Sequence, residues 1–91
     1  MKNILVEHHA SSAKLDVMGV YDWAEWSKEV SEFDWHYDRT ETCYFLEGRV
    51  IVTPEGGESI EMGAGDLVIF QAGTSCRWQI LEDVLKHYNF S

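Results

Sequence analysis

The sequence contains little of what marks disulfide-rich, nucleic-acid-binding or lipid-binding proteins. Its 91 residues include only two cysteines, too few to build the disulfide framework of a small secreted domain. Lys and Arg number 7 against 16 Asp and Glu, which gives a formal net charge of −9. An acidic excess of this size repels nucleic-acid phosphates and anionic lipids. We therefore expect neither nucleic acid nor a membrane surface as a partner.

Long hydrophobic runs are also missing. The apolar run near the N-terminus extends only from Ile4 to Val6, which is too short for the hydrophobic region of a signal peptide. No other window approaches the length of a membrane-spanning helix. With both thiols expected to stay reduced, these features favour a cytoplasmic protein.

Aromatic residues, by contrast, are plentiful, at 13% of the chain. Residues 1–91 are expected to form one domain, and a chain of this length buries roughly two-thirds of the surface that its unfolded form exposes. Four tryptophans could supply much of that buried area. Small all-β domains often protect their open sheet edges by pairing, so we expect a homodimer.

The N-terminal third predicts a short helical turn followed by a loop. Ser12 is placed to cap one or two turns through AKLDVM, and Gly19 is placed to end them in the left-handed conformation. The segment DWAEWSKEVSEF, residues 22–33, carries apolar residues at irregular spacing. We interpret it as an ordered loop with short extended pieces.

From residue 33 onward the sequence predicts a series of short strands. Aromatic and β-branched residues, which strands prefer, are concentrated in five segments. These segments are CYFLEGRVIVT (43–53), SIEM (59–62), LVIF (67–70), TSCRWQIL (74–81) and VLKHYNF (84–90). Turn-forming residues separate the first four of them, as in PEGGE, GAGD and QAG. Short strands divided by turns in this way predict an all-β sandwich or barrel.

Two spaced patterns resemble the motifs of the cupin family. Glu41, followed after six residues by Gly48, resembles the end of the first cupin motif, in which two histidines and a glutamate precede a glycine. The run from Gly65 through Gln71 and Gly73 to Cys76 resembles the second motif, which normally carries proline and histidine where Gln71 and Cys76 stand. The resemblance implies a jelly-roll β-barrel, with its core at about residues 33–90 and a site in the barrel mouth.

A narrower resemblance covers roughly residues 20–90. The stretches EVSEFDW, ETCYFLEG, GAGDLVIF and CRW resemble the small cupins related to the (S)-ureidoglycine aminohydrolase cupin domain. At the positions of that family's metal ligands, this chain has Trp35, Tyr37, Glu41 and Cys76. An indole offers no lone pair and a neutral phenol is a poor ligand, which leaves fewer ligands than a tightly held transition metal needs. We therefore expect no bound metal or other cofactor.

Strand alternation indicates which of these side chains face the barrel interior. Phe33, Trp35 and Tyr37 form one apolar face, while Asp34 and His36 form the polar one. The aromatic face is expected to point inward, which makes Trp35 and Tyr37 pocket residues and leaves His36 outside.

The opposite orientation stays open as an alternative. It would bring His36, Glu41 and Cys76 together with Asp34 as a mixed ligand set for a divalent metal such as zinc, iron or nickel. The face on which His36 lies decides between the two orientations.

The pocket residues have different expected roles. Glu41 is a candidate acid, base or hydrogen-bond acceptor, and Tyr37 a candidate donor. Cys76 is a candidate polar wall or nucleophile, although a free cysteine is more often a small buried hydrophobe. Trp35 and Trp78 are candidate apolar walls, as aromatic residues commonly are in small-ligand sites, but Trp78 could equally fill the core.

Other polar residues give weaker indications of a binding site. Arg39 is the only basic residue that the sequence places near the mouth, where it could meet an anionic ligand. His8, His9 and His87 have no obvious partners in sequence and are expected to be solvated.

These observations favour a cupin that binds a small polar or carbonyl-bearing metabolite in its mouth and has a degenerate metal site. A metal-dependent aminohydrolase- or oxygenase-like enzyme, with Glu41 and Cys76 among the ligands, is the alternative. A non-catalytic structural or interaction domain, whose mouth is filled by its own side chains, is a second alternative.

Overall fold

The computed structural model describes residues 3–91, which form seven β-strands, one α-helix and one short 3₁₀ helix. The elements in chain order are β1 (Ile4–Glu7), α1 (Ser12–Met18), the 3₁₀ helix (Val20–Asp22), β2 (Ala24–Lys28), β3 (Ser31–His36), β4 (Glu41–Pro54), β5 (Ile60–Gly63), β6 (Leu67–Phe70) and β7 (Ser75–Phe90).

All seven strands belong to one antiparallel sheet, so the predicted all-β class is confirmed. Two long strands, β4 and β7, pair with each other and change their outer neighbours along their length. The first half of β4 pairs with β6 and the second half with β5, while β7 begins beside β3 and ends beside β2. The sheet thus has two arms joined through β4 and β7, and β1 extends one arm beyond β6.

The two arms meet at a bend beside Gly48. The pairing of β4 with β7 is irregular between Phe45 and Val50, as strands are where they bend sharply. Gly48 has φ = 103°, and a Cβ atom there would lie 2.6 Å from the Asp83 carbonyl oxygen. Only glycine permits both this conformation and this close approach of the two strands.

The main core lies on the inner face of the bent sheet, and a smaller cluster lies beneath the helices. Buried inner-face residues include Cys43, Phe45, Val50, Val52, Met62, Val68, Phe70, Trp78, Ile80 and Val84. The second cluster joins Leu15 of α1 and Val20 of the 3₁₀ helix to Leu67 of β6. The helices therefore cover the outer face of one arm.

The predicted helical turn is present, and it is capped one residue earlier than expected. The Ser11 side chain, rather than that of Ser12, accepts a hydrogen bond from the Lys14 backbone N–H. Gly19 ends the helix in the left-handed conformation, with φ = 73°, as predicted. No helix among residues 3–91 is long and apolar enough to cross a membrane.

Two strand predictions differ from the structure in detail. The segment 22–33, predicted as an ordered loop with short extended pieces, contains β2 and the start of β3, both paired with β7. β2 is mostly exposed and pairs with only one strand, so its sequence AEWSK lacks the apolar alternation of a half-buried strand. The two predicted strands 74–81 and 84–90 are one continuous strand, because Glu82 and Asp83 pass through the bend without ending it.

Candidate functional site

A cavity of about 200 Å³ opens on the inner side of the sheet. Most of the side chains around it are aromatic, and two are charged. The lining residues are Trp26, Phe33, Trp35, Tyr37, Glu41, Trp78, Lys86, Tyr88 and Phe90. They come from β2, β3, β4 and β7 and from the segment that follows β3.

Strand alternation in β7 determines which of its side chains face the inner side of the sheet. Cys76, Trp78 and Ile80 face inward before the bend, and Val84 and Lys86 do so after it. Lys86 thereby lies in a row of otherwise apolar inner-face residues. Its ammonium group needs a partner inside the barrel, because an unpaired buried charge is strongly unfavourable.

Glu41 supplies that partner. The Nζ atom of Lys86 donates a hydrogen bond to Oε2 of Glu41 at 2.7 Å. Only 6% of the Lys86 side chain and 8% of the Glu41 side chain are exposed, so the ion pair is almost fully removed from bulk water. The hydrogen-bond partner of Glu41 is therefore Lys86.

Aromatic rings surround the Lys86 ammonium on its other sides. Nζ lies 5.0 Å from the ring centroid of Trp26, 4.9 Å from that of Trp78 and 6.0 Å from that of Phe70. A cation at these distances is attracted by the negative faces of the rings. The charge of Lys86 is thus stabilised by one carboxylate and three aromatic groups.

Tyr37 lies beside this pair as a neutral phenol. Its ring stacks on Phe70 with the centroids 4.5 Å apart, and its backbone is fixed by hydrogen bonds to Thr74 and Gly73. Burial, together with the neighbouring negative charge of Glu41, raises the pKa of Tyr37 well above its ordinary value. Tyr37 can therefore donate a hydrogen bond into the cavity but is a poor metal ligand.

The two tryptophans predicted as walls have different environments. Trp78 is buried and stacks on Phe33 with the centroids 5.8 Å apart, so it serves both the core and the cavity. Trp35 is 52% exposed and stands at the rim. Both line the cavity, and Trp26, which the sequence analysis did not place in the pocket, lines it with them.

Trp78 also has an unsatisfied polar atom. Its Nε1 is the one buried side-chain nitrogen or oxygen without a hydrogen-bond partner among residues 3–91. Trp78 therefore contributes one unsatisfied donor to this side of the barrel.

Cys76 lies next to the cavity but outside its lining. It faces a separate groove, which it shares with Trp35, His36, Arg77 and the turn at residues 53–57. Burial raises the pKa of its thiol to about 11. A thiol with this pKa is almost entirely protonated at neutral pH and is a weak nucleophile. Cys43 is fully buried, and burial raises its pKa to about 12.

His36 and Asp34 lie on the outer face of β3, away from the cavity. His36 Nδ1 is 2.7 Å from the Ser75 hydroxyl, and Asp34 accepts a hydrogen bond from Arg77 at 3.0 Å. No three His, Cys, Asp or Glu side chains within residues 3–91 converge closely enough to hold a metal ion. The residues at the cupin metal positions therefore do not fit a transition metal.

Sequence reasoning missed Lys86 and misplaced His87. Arg39 was expected to be the only basic group at the mouth, yet Lys86 lies inside the cavity, while Arg39 stacks over Phe90 at 4.8 Å. His87, expected to be solvated, is buried on the outer face and donates from Nδ1 to the Trp23 carbonyl at 3.1 Å. The alternation of VLKHYNF, with Val84, Lys86 and Tyr88 on one face, could have indicated both.

Comparison with known proteins identifies the family. The model of the EutQ-like cupin domain matches residues 15–88. The chain is 50% identical to a DUF861 family protein from Thermotoga maritima, with a TM-score of 0.93 over 97% of this chain and 99% of that one. Comparison with curated proteins finds no match.

More distant solved structures share the fold. A DUF861 family protein from Pseudomonas syringae is 28% identical, with a TM-score of 0.66 over 74% of this chain and 29% of that one. The EutQ protein of Clostridium difficile is 17% identical, with a TM-score of 0.65 over 72% of this chain and 52% of that one. The latter likeness concerns the fold alone.

The family match and the structural likeness confirm the predicted cupin barrel, whereas the narrower resemblance to ureidoglycine aminohydrolases stays a prediction. This chain belongs to the EutQ-like cupin domain family.

Proposed function

We propose that this protein binds a small metabolite in the aromatic cavity and does so without a metal ion. The observation that carries the proposal is the buried Lys86–Glu41 pair, which faces a cavity whose other walls are mostly aromatic. Ligand sites commonly combine apolar walls with a few convergent polar groups in this way.

The size of the cavity limits the ligand. At about 200 Å³ it is smaller than the roughly 300–1,000 Å³ of sites that take drug-sized molecules. A molecule the size of a single ring with one polar substituent suits it. Trp26, Trp35 and Trp78 would contact the body of the ligand, while Glu41, Lys86 and Tyr37 would contact its polar end.

The polar residues also define what chemistry is available to a bound molecule. Glu41 is placed to accept a proton or hydrogen bond, and Lys86 and Tyr37 to donate one. Cys76 has no part in this set, because it lines the neighbouring groove and its pKa of about 11 keeps it protonated. The proposal is therefore a binding function in which any catalysis would proceed by proton transfer.

The metal-dependent alternative has less support. Its ligand set requires His36 to face Glu41, and His36 instead hydrogen-bonds to Ser75 on the outer face. An interaction domain with a self-filled mouth is disfavoured by the cavity itself, since its aromatic side chains do not close it.

A fragment screen followed by nuclear magnetic resonance tests the proposal. Single-ring compounds bearing one polar group should shift the indole N–H signals of Trp26, Trp35 and Trp78 in a saturable manner. Tyr88→Ala, which changes the cavity wall, should alter their affinity, and Tyr21→Ala, which changes an exposed ring outside the cavity, should not. Saturable shifts confined to other surfaces, or no saturable shifts in a broad screen, would contradict the proposal.

A further inference from the structure

We infer that the ligand is a neutral planar amide or lactam, whose carbonyl and N–H edge is bound by Lys86 and Glu41 together. The inference rests on the proposed binding function and specifies the chemical class of the ligand. It follows from the charge balance of the cavity, from the geometry of the ion pair and from the aromatic walls.

The charge balance of the cavity argues against charged ligands. Lys86 and Glu41 neutralise each other, and among residues 3–91 no other charged side chain lines the cavity. An anion entering there would face Glu41 as well as Lys86 and would leave one negative charge uncompensated in a mostly apolar space. Such a charge is costly to bury, so a neutral ligand is favoured.

A cationic ligand meets a second obstacle. The faces of Trp26 and Trp78, which could otherwise hold a cation, are already engaged by the Lys86 ammonium at 5.0 and 4.9 Å. A ligand cation would have to displace that ammonium or lie beside it. Aromatic lining in this cavity is therefore not a signature of cation recognition.

The ion pair presents one donor and one acceptor side by side. The Lys86 ammonium has three N–H donors, and Glu41 uses only one of them among the described residues. The Glu41 carboxylate likewise retains acceptor capacity. A group with an adjacent carbonyl oxygen and N–H can accept from Lys86 and donate to Glu41 at once, and both hydrogen bonds would involve a charged partner.

The aromatic walls favour a flat molecule. Phe33 and Trp78 are nearly parallel, with an interplanar angle of 16°, and Tyr37 and Phe70 are parallel within 7°. Phe33, Tyr37 and Trp78 also line the cavity, and a planar ligand can add to such stacks more closely than a bulky one. Amides and lactams are planar and neutral and carry the required polar edge.

Four probes of nearly equal shape test the inference. Benzamide is neutral with a donor and an acceptor, acetophenone is neutral with an acceptor only, benzoate is an anion and benzamidinium is a cation. Titration followed by the tryptophan indole signals should rank benzamide at least about tenfold tighter than each of the others, the effect of one added hydrogen bond to a charged group.

Two single substitutions should change this ranking in opposite directions. Glu41→Gln leaves Lys86 unpaired and should make benzoate the preferred probe. Lys86→Met leaves Glu41 unpaired and should make benzamidinium the preferred probe. The double variant Glu41→Gln/Lys86→Gln keeps the cavity neutral and should keep benzamide first, and it provides the test if either single variant fails to fold.

The possible outcomes distinguish a failure of the amide inference from a failure of the proposed binding function. The amide inference is overturned if benzoate, benzamidinium or acetophenone binds the wild-type protein as tightly as benzamide does. The proposed binding function would survive that result. Benzamide ranking first in both single variants would also overturn the amide inference, as would the loss of its first place in the double variant. If none of the four probes shifts the cavity signals while other single-ring fragments do, only the inference fails. If no fragment does, both fail.

Discussion

The Nζ atom of Lys86 lies 2.7 Å from the Oε2 atom of Glu41, although the two residues are 45 positions apart in the sequence. Glu41 begins β4 and lies opposite Phe90, while Lys86 lies opposite Phe45, so the pair is diagonal on the inner face of the two long strands. Its formation requires β4 and β7 to pair correctly. The same contact therefore serves the fold and the candidate site.

Removing one member of this pair should strongly destabilise the protein. Lys86→Met leaves the Glu41 carboxylate buried without its partner, and breaking a buried ion pair typically costs about 3–5 kcal/mol. Urea denaturation should show this loss in the free energy of unfolding. Lys14→Met is the matched control, because it removes an exposed pair with Glu7 and should cost at most about 1 kcal/mol. Equal effects of the two substitutions would contradict the assignment of Lys86 to the interior.

Substitution at the bend should be more costly than substitution at an open turn. Gly48→Ala places a Cβ atom 2.6 Å from the Asp83 carbonyl oxygen in addition to straining the backbone. Gly56→Ala strains the backbone at φ = 73° but meets no atom within 4 Å, so it should cost only about 1–2 kcal/mol. Thermal unfolding of both variants should show a clearly larger loss for Gly48→Ala. Similar melting temperatures would mean that β4 and β7 can separate at the bend.

Stability should fall as the solution becomes alkaline. Burial raises the pKa of Cys43 to about 12 and that of Cys76 to about 11, from an ordinary value of 9.0. Below pH about 9 the thiols are protonated in both the folded and the unfolded chain. Between pH 9 and 12 the unfolded chain releases these protons more readily, so the free energy of unfolding decreases.

Urea denaturation between pH 7 and pH 11 measures this effect. Cys43→Ala removes one of the two thiols and should make the alkaline decrease shallower, even though it lowers stability at every pH. An unchanged slope in Cys43→Ala would show that Cys43 ionises alike in both states.

Metal content distinguishes the two candidate functions directly. The untagged protein from metal-replete medium should contain far less than one equivalent of zinc, iron or nickel by plasma mass spectrometry, because its donor groups do not converge. Glu41→Gln should give the same low values. Near-stoichiometric metal that is lost in Glu41→Gln would instead support the metalloenzyme and require His36 to turn inward.

Local sequence patterns predicted more of the fold than of the site. Alternation in Phe33–Tyr37 correctly placed Tyr37 inside and His36 outside, since both depend only on the two-residue period of a strand. The end of α1 at Gly19 could be predicted because glycine readily adopts the left-handed conformation that ends a helix. Recognition of the cupin fold required only the spacing between the glycines and Glu41.

The Lys86–Glu41 ion pair could not be predicted from local sequence patterns, because its two residues come from different strands. Glu41 was recognised as a pocket residue, but its partner depends on the pairing of β4 with β7, which one sequence does not specify. Cys76 illustrates the same difficulty, because facing inward did not suffice to place it in the cavity wall. The homodimer and the cytoplasmic location stay predictions.

Lys86 and His87 are neighbours in β7 whose side chains lie on opposite faces of the sheet, and this arrangement affects the register of the strand. Lys86 pairs with Glu41 inside the barrel, and His87 binds the Trp23 carbonyl beneath the helical cover. A slip of β7 by one residue would exchange them, stranding an ammonium group under the 3₁₀ helix and leaving Glu41 without its cation. A shifted β7 would therefore lose contacts on both faces of the sheet, so this dipeptide favours the native register over its nearest alternatives.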